Sequence, residues 1–305
     1  MTSLIEIYRN SVRTWECDEM GHMNIQFYVD KATGALAVLS RMLGLPAPSS
    51  SNAGLHLVAK EHHIRFLREQ LAGAPIVIQA GVLEVHDSHL RVYFEMRNPA
   101  ADVVAATLVA RVELVDHART HPLPMPSELL ERAREMQTHL PDHAAPRGLE
   151  LTPPREPLTL DQADAMGMVA TYLTPLEPQL VDSDGFMTTR AYIGAISDSI
   201  PNFASRVGNW DRSNSRIGGA ALEYRLVYHQ APRNGTILTI RSAIRHIGPK
   251  AYTFCHWLFD NDTGRTIAAA EAVAVMFDLD ARKAITIPDK RRAALEKLLI
   301  PELGI

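Results

Sequence analysis

Hydrophobic and polar positions run through one series of spacings along this chain and then run through it again. Ile5 to Thr14 reads as a strand, and the polar, Gly-containing stretch Glu16 to Asn24 reads as a loop. From Gln26 to Leu43 the apolar residues Tyr28, Ala32, Ala35, Leu36, Leu39 and Leu43 recur at three- and four-residue steps, which predicts a helix stopped by Gly44 and Pro46. Gly34, Ala35 and Ala37 make one stretch of that helix thin. After Gly54 the period changes to two: His62, Ile64 and Phe66 point one way, Glu61, His63 and Arg65 the other. Further strands are predicted at about 75 to 86, 89 to 97 and 102 to 116, then a charged amphipathic helix over 127 to 139 behind Pro126.

The second pass predicts a strand near 168 to 174, a loop at 182 to 189 and a helix near 191 to 207. Strands near 220 to 230, 236 to 246, 250 to 260 and 265 to 278 follow, then Pro288 and another charged helix. Gly21 and Gly185 lie 164 residues apart, Arg119 and Arg282 163, and Gly73 with Gly235 and Pro126 with Pro288 both 162. Four landmarks in near-constant register predict a duplicated supersecondary unit, packed as the subunits of a dimer pack, with a site where the copies meet. The first copy is expected over 1–140 and the second over 165–305. Eight of the nineteen prolines fall in 122 to 157, so 141–164 is expected as a Pro-rich linker. Strand, helix and then four strands imply an α+β unit in which an antiparallel sheet curls around one long helix.

At 305 residues, 46% hydrophobic and 22% charged, the chain has the composition of a globular protein with two ordinary cores. A net charge of −4 argues against a nucleic acid partner, which calls for a concentrated basic surface. Cys17 and Cys255, one per copy, suit a reducing compartment. No apolar run approaches the ~20 residues that span a bilayer, and the first residues lack a basic segment followed by an apolar one. The expectation is a cytoplasmic protein without a membrane partner.

Candidate chemistry concentrates in Trp15-Glu16-Cys17-Asp18-Glu19-Met20-Gly21-His22-Met23-Asn24, with Tyr28 a turn later. Two acids two positions apart, two spacers, Gly, His and Asn before a Tyr resemble the signature of hotdog-fold thioesterases of the 4-hydroxybenzoyl-CoA thioesterase type. Glu61 to Gly73 and Arg119 to Pro126 are similar to that family too, and the tandem layout is similar to acyl-acyl carrier protein thioesterases. The resemblance implies a double hotdog that hydrolyses an acyl-CoA, or an acyl carrier protein thioester, to the free acid and thiol. It implies no metal or redox cofactor, CoA entering only as part of the substrate; further association into a homodimer is compatible with it. Asp18 is expected as nucleophile or general base, Asn24 as a positioning residue and His22 as an orienting one. Gly21 and its neighbours at the helix N-terminus are expected to hold the oxyanion. Gly21, Met23, Tyr28 and His62 are expected around the substrate, joined by Phe186 of the second copy.

Each of these residues also has a plainer reading. An Asp before a helix is by default a cap or turn residue, and Tyr28 reads equally as core with a satisfied hydroxyl. Cys17 alternates away from Asp18 and has no obvious His partner. Glu61, His62 and His63 are neighbours on one strand, so their side chains diverge and cannot share a metal. In the second copy Asp182 and Gly185 persist while Leu180, Phe186 and Thr188 replace Glu16, His22 and Asn24. That copy is expected to be a pseudo-subunit whose Phe186 and Met187 shape the acyl tunnel. Two rival readings are a non-catalytic acyl-CoA binding or sensor protein, and a hotdog enoyl-CoA hydratase or dehydratase using Asp18 and His22 as a proton-transfer pair.

Overall fold

The computed structural model describes residues 4–46, 54–119, 121–207 and 217–305, which divide into two compact units, Met1–Ala145 and Pro146–Ile305. Among these residues no helix is long and apolar enough to cross a membrane.

In the first unit β1 (Ile5–Ser11) leads through the polar loop into α1 (Ile25–Met42), and β2 (Leu55–Phe66), β3 (Pro75–Val85), β4 (Leu90–Asn98) and β5 (Val103–Asp116) follow. A two-residue β6 (Pro122–Leu123) pairs with β5, and α2 (Ser127–Glu135) comes last. The strands pair antiparallel in the order β1-β3-β4-β5-β2. Helix α1 buries Tyr28, Val29, Ala32, Ala35, Leu36 and Leu39, the stripe its sequence period predicts. Each large apolar side chain so buried contributes about 1.5–3 kcal/mol. The thin stretch is used by β1: a Cβ on Gly34 would stand 3.1 Å from the Tyr8 ring.

The second unit repeats the plan. Its β7 (Val169–Pro175) follows a short α3 (Leu160–Ala165), and α4 (Thr189–Arg206) takes the place of α1. Then come β8 (Ile217–Tyr228), β9 (Ile237–Ile247), β10 (Ala251–Asp260), β11 (Thr266–Asp278), a two-residue β12 (Lys283–Ala284) and α5 (Asp289–Glu296). Strand order is β7-β9-β10-β11-β8, the same as in the first unit. Each unit is thus a long helix against a five-stranded antiparallel sheet, and the chain is the tandem hotdog that the resemblance implies.

The repeated landmarks are repeated backbone conformations. Gly21 and Gly185 have φ of +79° and +81°, and the non-glycine pair Arg119 and Arg282 has +53° and +51°. A left-handed Arg is disfavoured, so finding it at both positions marks the same turn built twice. The Pro-rich stretch between the copies is anchored. Tyr93 and Val109 on the outer face of the first sheet pack against Ala144, with Leu140 and Leu83 beside them. Arg65 donates to the carbonyls of His143 and Ala145 at 2.6 and 3.0 Å. In the second unit the Arg147 and Gly148 N–H groups donate to the Glu223 carboxylate at 3.0 and 2.6 Å.

Candidate functional site

The loop before α1 is organised by one carboxylate oxygen. Asp18 Oδ1 accepts the N–H of Met20 at 2.9 Å and of His22 at 3.1 Å, while the Gly21 N–H donates to the Asp18 carbonyl at 3.0 Å. The Asp18 N–H closes the turn on the His22 carbonyl at 2.9 Å. A left-handed Gly21 lets the chain reverse within this turn, and a Cβ there would meet nothing within 4 Å, so the demand is conformational and not steric. Asp18 is half-buried, and among the described residues its Oδ2 has no hydrogen-bond partner.

Asn24 is the N-cap of α1: its side chain accepts the Gln26 N–H at 3.1 Å, and its carbonyl accepts that of Phe27 at 3.0 Å. The Asn24 N–H donates to the Glu16 carbonyl at 2.8 Å and the Met23 N–H to the Gln70 carbonyl at 2.7 Å. Among the described residues, Ile25 therefore keeps the one N–H of residues 20 to 27 without a hydrogen bond. This corrects the expectation for Gly21. Its own N–H is consumed by the Asp18 carbonyl, so its part is to shape the turn, and the open donor at the helix N-terminus belongs to Ile25.

Glu16, the first acid of the motif, is structural. It is buried, takes the Lys31 ammonium at 3.0 and 2.7 Å, and accepts the Arg13 N–H at 2.9 Å. Lys31 also donates to the Ser11 carbonyl at 3.2 Å, which ties β1, the loop and α1 together through one buried cation. Gln70 holds the opposite wall: it is buried, and its Oε1 accepts from Asn98 at 2.8 Å.

The His22 imidazole faces Glu69, with Nε2 3.5 Å from a carboxylate oxygen, and no described contact joins the ring to the Asp18 carboxylate. The described partner of the ring is thus Glu69 and not the Asp18 with which hydration chemistry would pair it. Met23 is buried beneath the loop. Tyr28 is buried with its ring edge-on to Phe66 at 5.1 Å, and its hydroxyl is hydrogen-bonded to the Gln70 backbone. Burial, helped by the charge of Glu69, raises its phenol pKa above the ordinary value. His62 is fully buried in β2, and burial lowers its pKa to about 4, which keeps the imidazole neutral. His63 is buried as well.

The second loop repeats the backbone bonds almost one for one. Asp182 Oδ1 accepts the Asp184 and Phe186 N–H groups, both at 3.0 Å, and the Gly185 N–H donates to the Asp182 carbonyl at 3.0 Å. Side chains differ at the positions of the motif. Leu180 stands where Glu16 does and Ala195 where Lys31 does, so apolar residues take the positions of the buried ion pair. Phe186 is buried under the Arg233 guanidinium, 4.0 Å from its ring centre. Thr188 makes no side-chain cap and donates its hydroxyl to the Leu180 carbonyl at 3.1 Å.

Lys31, Glu69, Gln70 and Ile25 were missed by the sequence reading. Of these only Lys31 carried a signal, as a cation beside the apolar stripe of a helix with an acid at the preceding loop.

The family description that matches the chain is the thioesterase-like superfamily, over residues 12–133 and again over 176–295. Among solved structures, the fold is similar to the 12:0-ACP thioesterase from Umbellularia californica at 12% identity and a TM-score of 0.65, covering 88% of this chain and 93% of that one. It is also similar to an acyl-ACP thioesterase from Bacteroides thetaiotaomicron at 10% identity and a TM-score of 0.63, covering 88% and 96%. A Lactobacillus plantarum protein provisionally assigned as an oleoyl thioesterase matches at 14% identity and a TM-score of 0.66, covering 90% and 96%. No curated protein matches in sequence. Matched twice and over most of its length by one family description, the chain belongs to the thioesterase-like superfamily and is a thioester hydrolase.

Proposed function

We propose that the chain hydrolyses an acyl thioester carried on a pantetheine arm, of coenzyme A or of a carrier protein, at the Asp18 loop of the first unit. One observation carries this reading: among the described residues Asp18 spends Oδ1 on the turn and keeps Oδ2 unpartnered, in a half-buried loop that ends at the open Ile25 N–H. In the reaction so assigned, Oδ2 removes a proton from water as the water oxygen attacks the thioester carbonyl carbon. The tetrahedral oxyanion accepts the Ile25 N–H at the positive end of α1. The C–S bond then breaks, and the leaving thiolate receives the proton held by Asp18, giving acid and thiol. No step of this hydrolysis requires a metal or redox group. Asn24 positions the first turn of the helix, and His22 with Glu69 borders the loop.

A panel of short, medium, long and aryl CoA thioesters tests the reading by free-thiol release. Thiol formation that fails in Asp18→Asn supports it. A change in enoyl absorbance without thiol would assign hydration chemistry instead.

A further inference from the structure

Large apolar side chains are exposed on the rim of the Asp18 loop. Trp15 is 72% exposed, Met20 49% and Leu71 58%, and Leu71 pairs with His22 in an isolated β-bridge. The Arg13 guanidinium lies over the Trp15 indole, 5.4 Å from the ring centre, and Arg68 is exposed on the same loop as Leu71. Glu69, also on this rim, is turned toward His22. The corresponding positions of the second copy are Glu177 for Arg13, Gln179 for Trp15, Asp184 for Met20, Gln230 for Arg68 and Arg233 for Leu71. There the rim has no exposed aromatic ring, and its one Arg, Arg233, lies over the buried Phe186 and donates to the Asp184 carbonyl at 3.1 Å; the first rim sets two Arg against the exposed Glu19 and Glu69. An exposed indole with a guanidinium on one face, and a second exposed Arg on the loop that the His22–Leu71 bridge ties to this one, suits a ligand that is flat, aromatic and anionic at once.

We infer that this rim binds the nucleotide end of coenzyme A, with Trp15 stacked on the adenine and Arg13 and Arg68 on the phosphates, so that the substrate is a CoA thioester. The inference rests on hydrolysis at the Asp18 loop. Met20 and Leu71 then flank the pantetheine arm on its way to Asp18. An acidic carrier protein would also answer to two arginines. The single exposed indole with a guanidinium on one face favours a stacked base instead, because stacking on a π-face needs only the other face of that ring.

The test compares wild type with Trp15→Ala on one acyl group carried by CoA and by pantetheine, which lacks the nucleotide. The ratio of kcat/KM for the CoA thioester to that for the pantetheine thioester should fall about 5- to 100-fold, the range of one base-stacking contact. An unchanged ratio overturns the rim and leaves the hydrolase reading intact. A larger loss on an acyl carrier protein thioester than on the CoA thioester assigns the rim to protein docking and also overturns it. Should wild type hydrolyse none of these, the hydrolase reading fails, and the rim is then judged by calorimetric titration with free CoA. Binding weakened about 5-fold or more in Trp15→Ala supports it; equal affinities, or no binding to wild type, overturn it.

Discussion

The loops before α1 and α4 share their backbone and differ in what they offer a substrate. Both place an Asp whose Oδ1 takes two backbone N–H groups, and both reverse at a left-handed Gly. The shared bonds show that Asp and Gly are the price of the fold at this corner, whatever else they do. Function is to be sought in what differs: a buried Glu16–Lys31 pair, a His22 facing Glu69 and an Asn24 cap, against Leu180 with Ala195, a Phe186 under Arg233 and an uncapped Thr188. Asp18 bound up in its turn is also what a non-catalytic binder would show. Because Asp182 makes the same bonds, that feature belongs to the turn and does not argue against catalysis.

The contrast can be broken most severely at the buried ion pair. Lys31→Met leaves Glu16 charged and unpaired in the interior, which should cost about 3–5 kcal/mol in chemical denaturation. The double change Glu16→Leu with Lys31→Ala copies the second loop and should recover most of that loss; no recovery would mean that the pair does more than balance charge.

Acid acts on a buried His in each unit next. The His62 pKa is lowered to about 4 and the His256 pKa to about 3, both by burial, from an ordinary 6.5. Between those values the unfolded chain binds protons that the folded chain does not, so stability is present above pH 6.5 and is lost as pH falls toward the folded values. His62→Leu should flatten the pH dependence of unfolding over this window by on the order of 3 kcal/mol. In the second unit His256→Phe, which copies Phe94 of the first, should flatten it comparably. Its effect is moderated by the loss of the Ser242 partner, 2.8 Å from the ring. Denaturant titrations at several pH values supply the readout.

The helix caps give the smallest effect. Asn24→Ala should cost about 1 kcal/mol, and Thr188→Asn should add up to about 1 kcal/mol by supplying the cap that α4 lacks. Opposite signs in thermal unfolding check the pair.

Much of the fold was legible because period and punctuation agree. The predicted strand at 102 to 116 is observed as Val103–Asp116, and the helix predicted from Gln26 to Leu43 as Ile25–Met42. The helix predicted over 127 to 139 ends at Glu135, where the chain leaves it to pair with β3: the Thr138 N–H donates to the Val82 carbonyl at 2.9 Å. Helical spacing in a sequence cannot show that a neighbouring strand offers a better partner. The six-residue α3 was hidden for another reason, since its Thr159–Gln162 capping box sits among prolines. On β2 the alternation of faces was visible, yet His63 is buried as deeply as His62, and Arg65 on the His63 side donates to the carbonyls of His143 and Ala145, a long-range cover that strand period does not show.

At the site, residue types were legible and bonding was not. Asp18 was recognisable as a cap or turn residue, whereas the reversal at Gly21 and the capping by Asn24 emerge only from the folded loop. Which N–H remains open depends on every other donor of the loop, including Met23 reaching across to Gln70. The Glu16–Lys31 pair joins residues fifteen apart, a distance that only the loop-to-helix geometry closes.

The most direct measurement is the steady-state rate of thiol release from an acyl-CoA for Asp18→Asn and Asp182→Asn, each checked for folding. Asn keeps the Oδ1 acceptor, so both turns should survive while the carboxylate is lost. The account predicts a fall in kcat of about 10²- to 10⁴-fold for Asp18→Asn and a change within about threefold for Asp182→Asn. Equal losses, or full activity in Asp18→Asn, would contradict it.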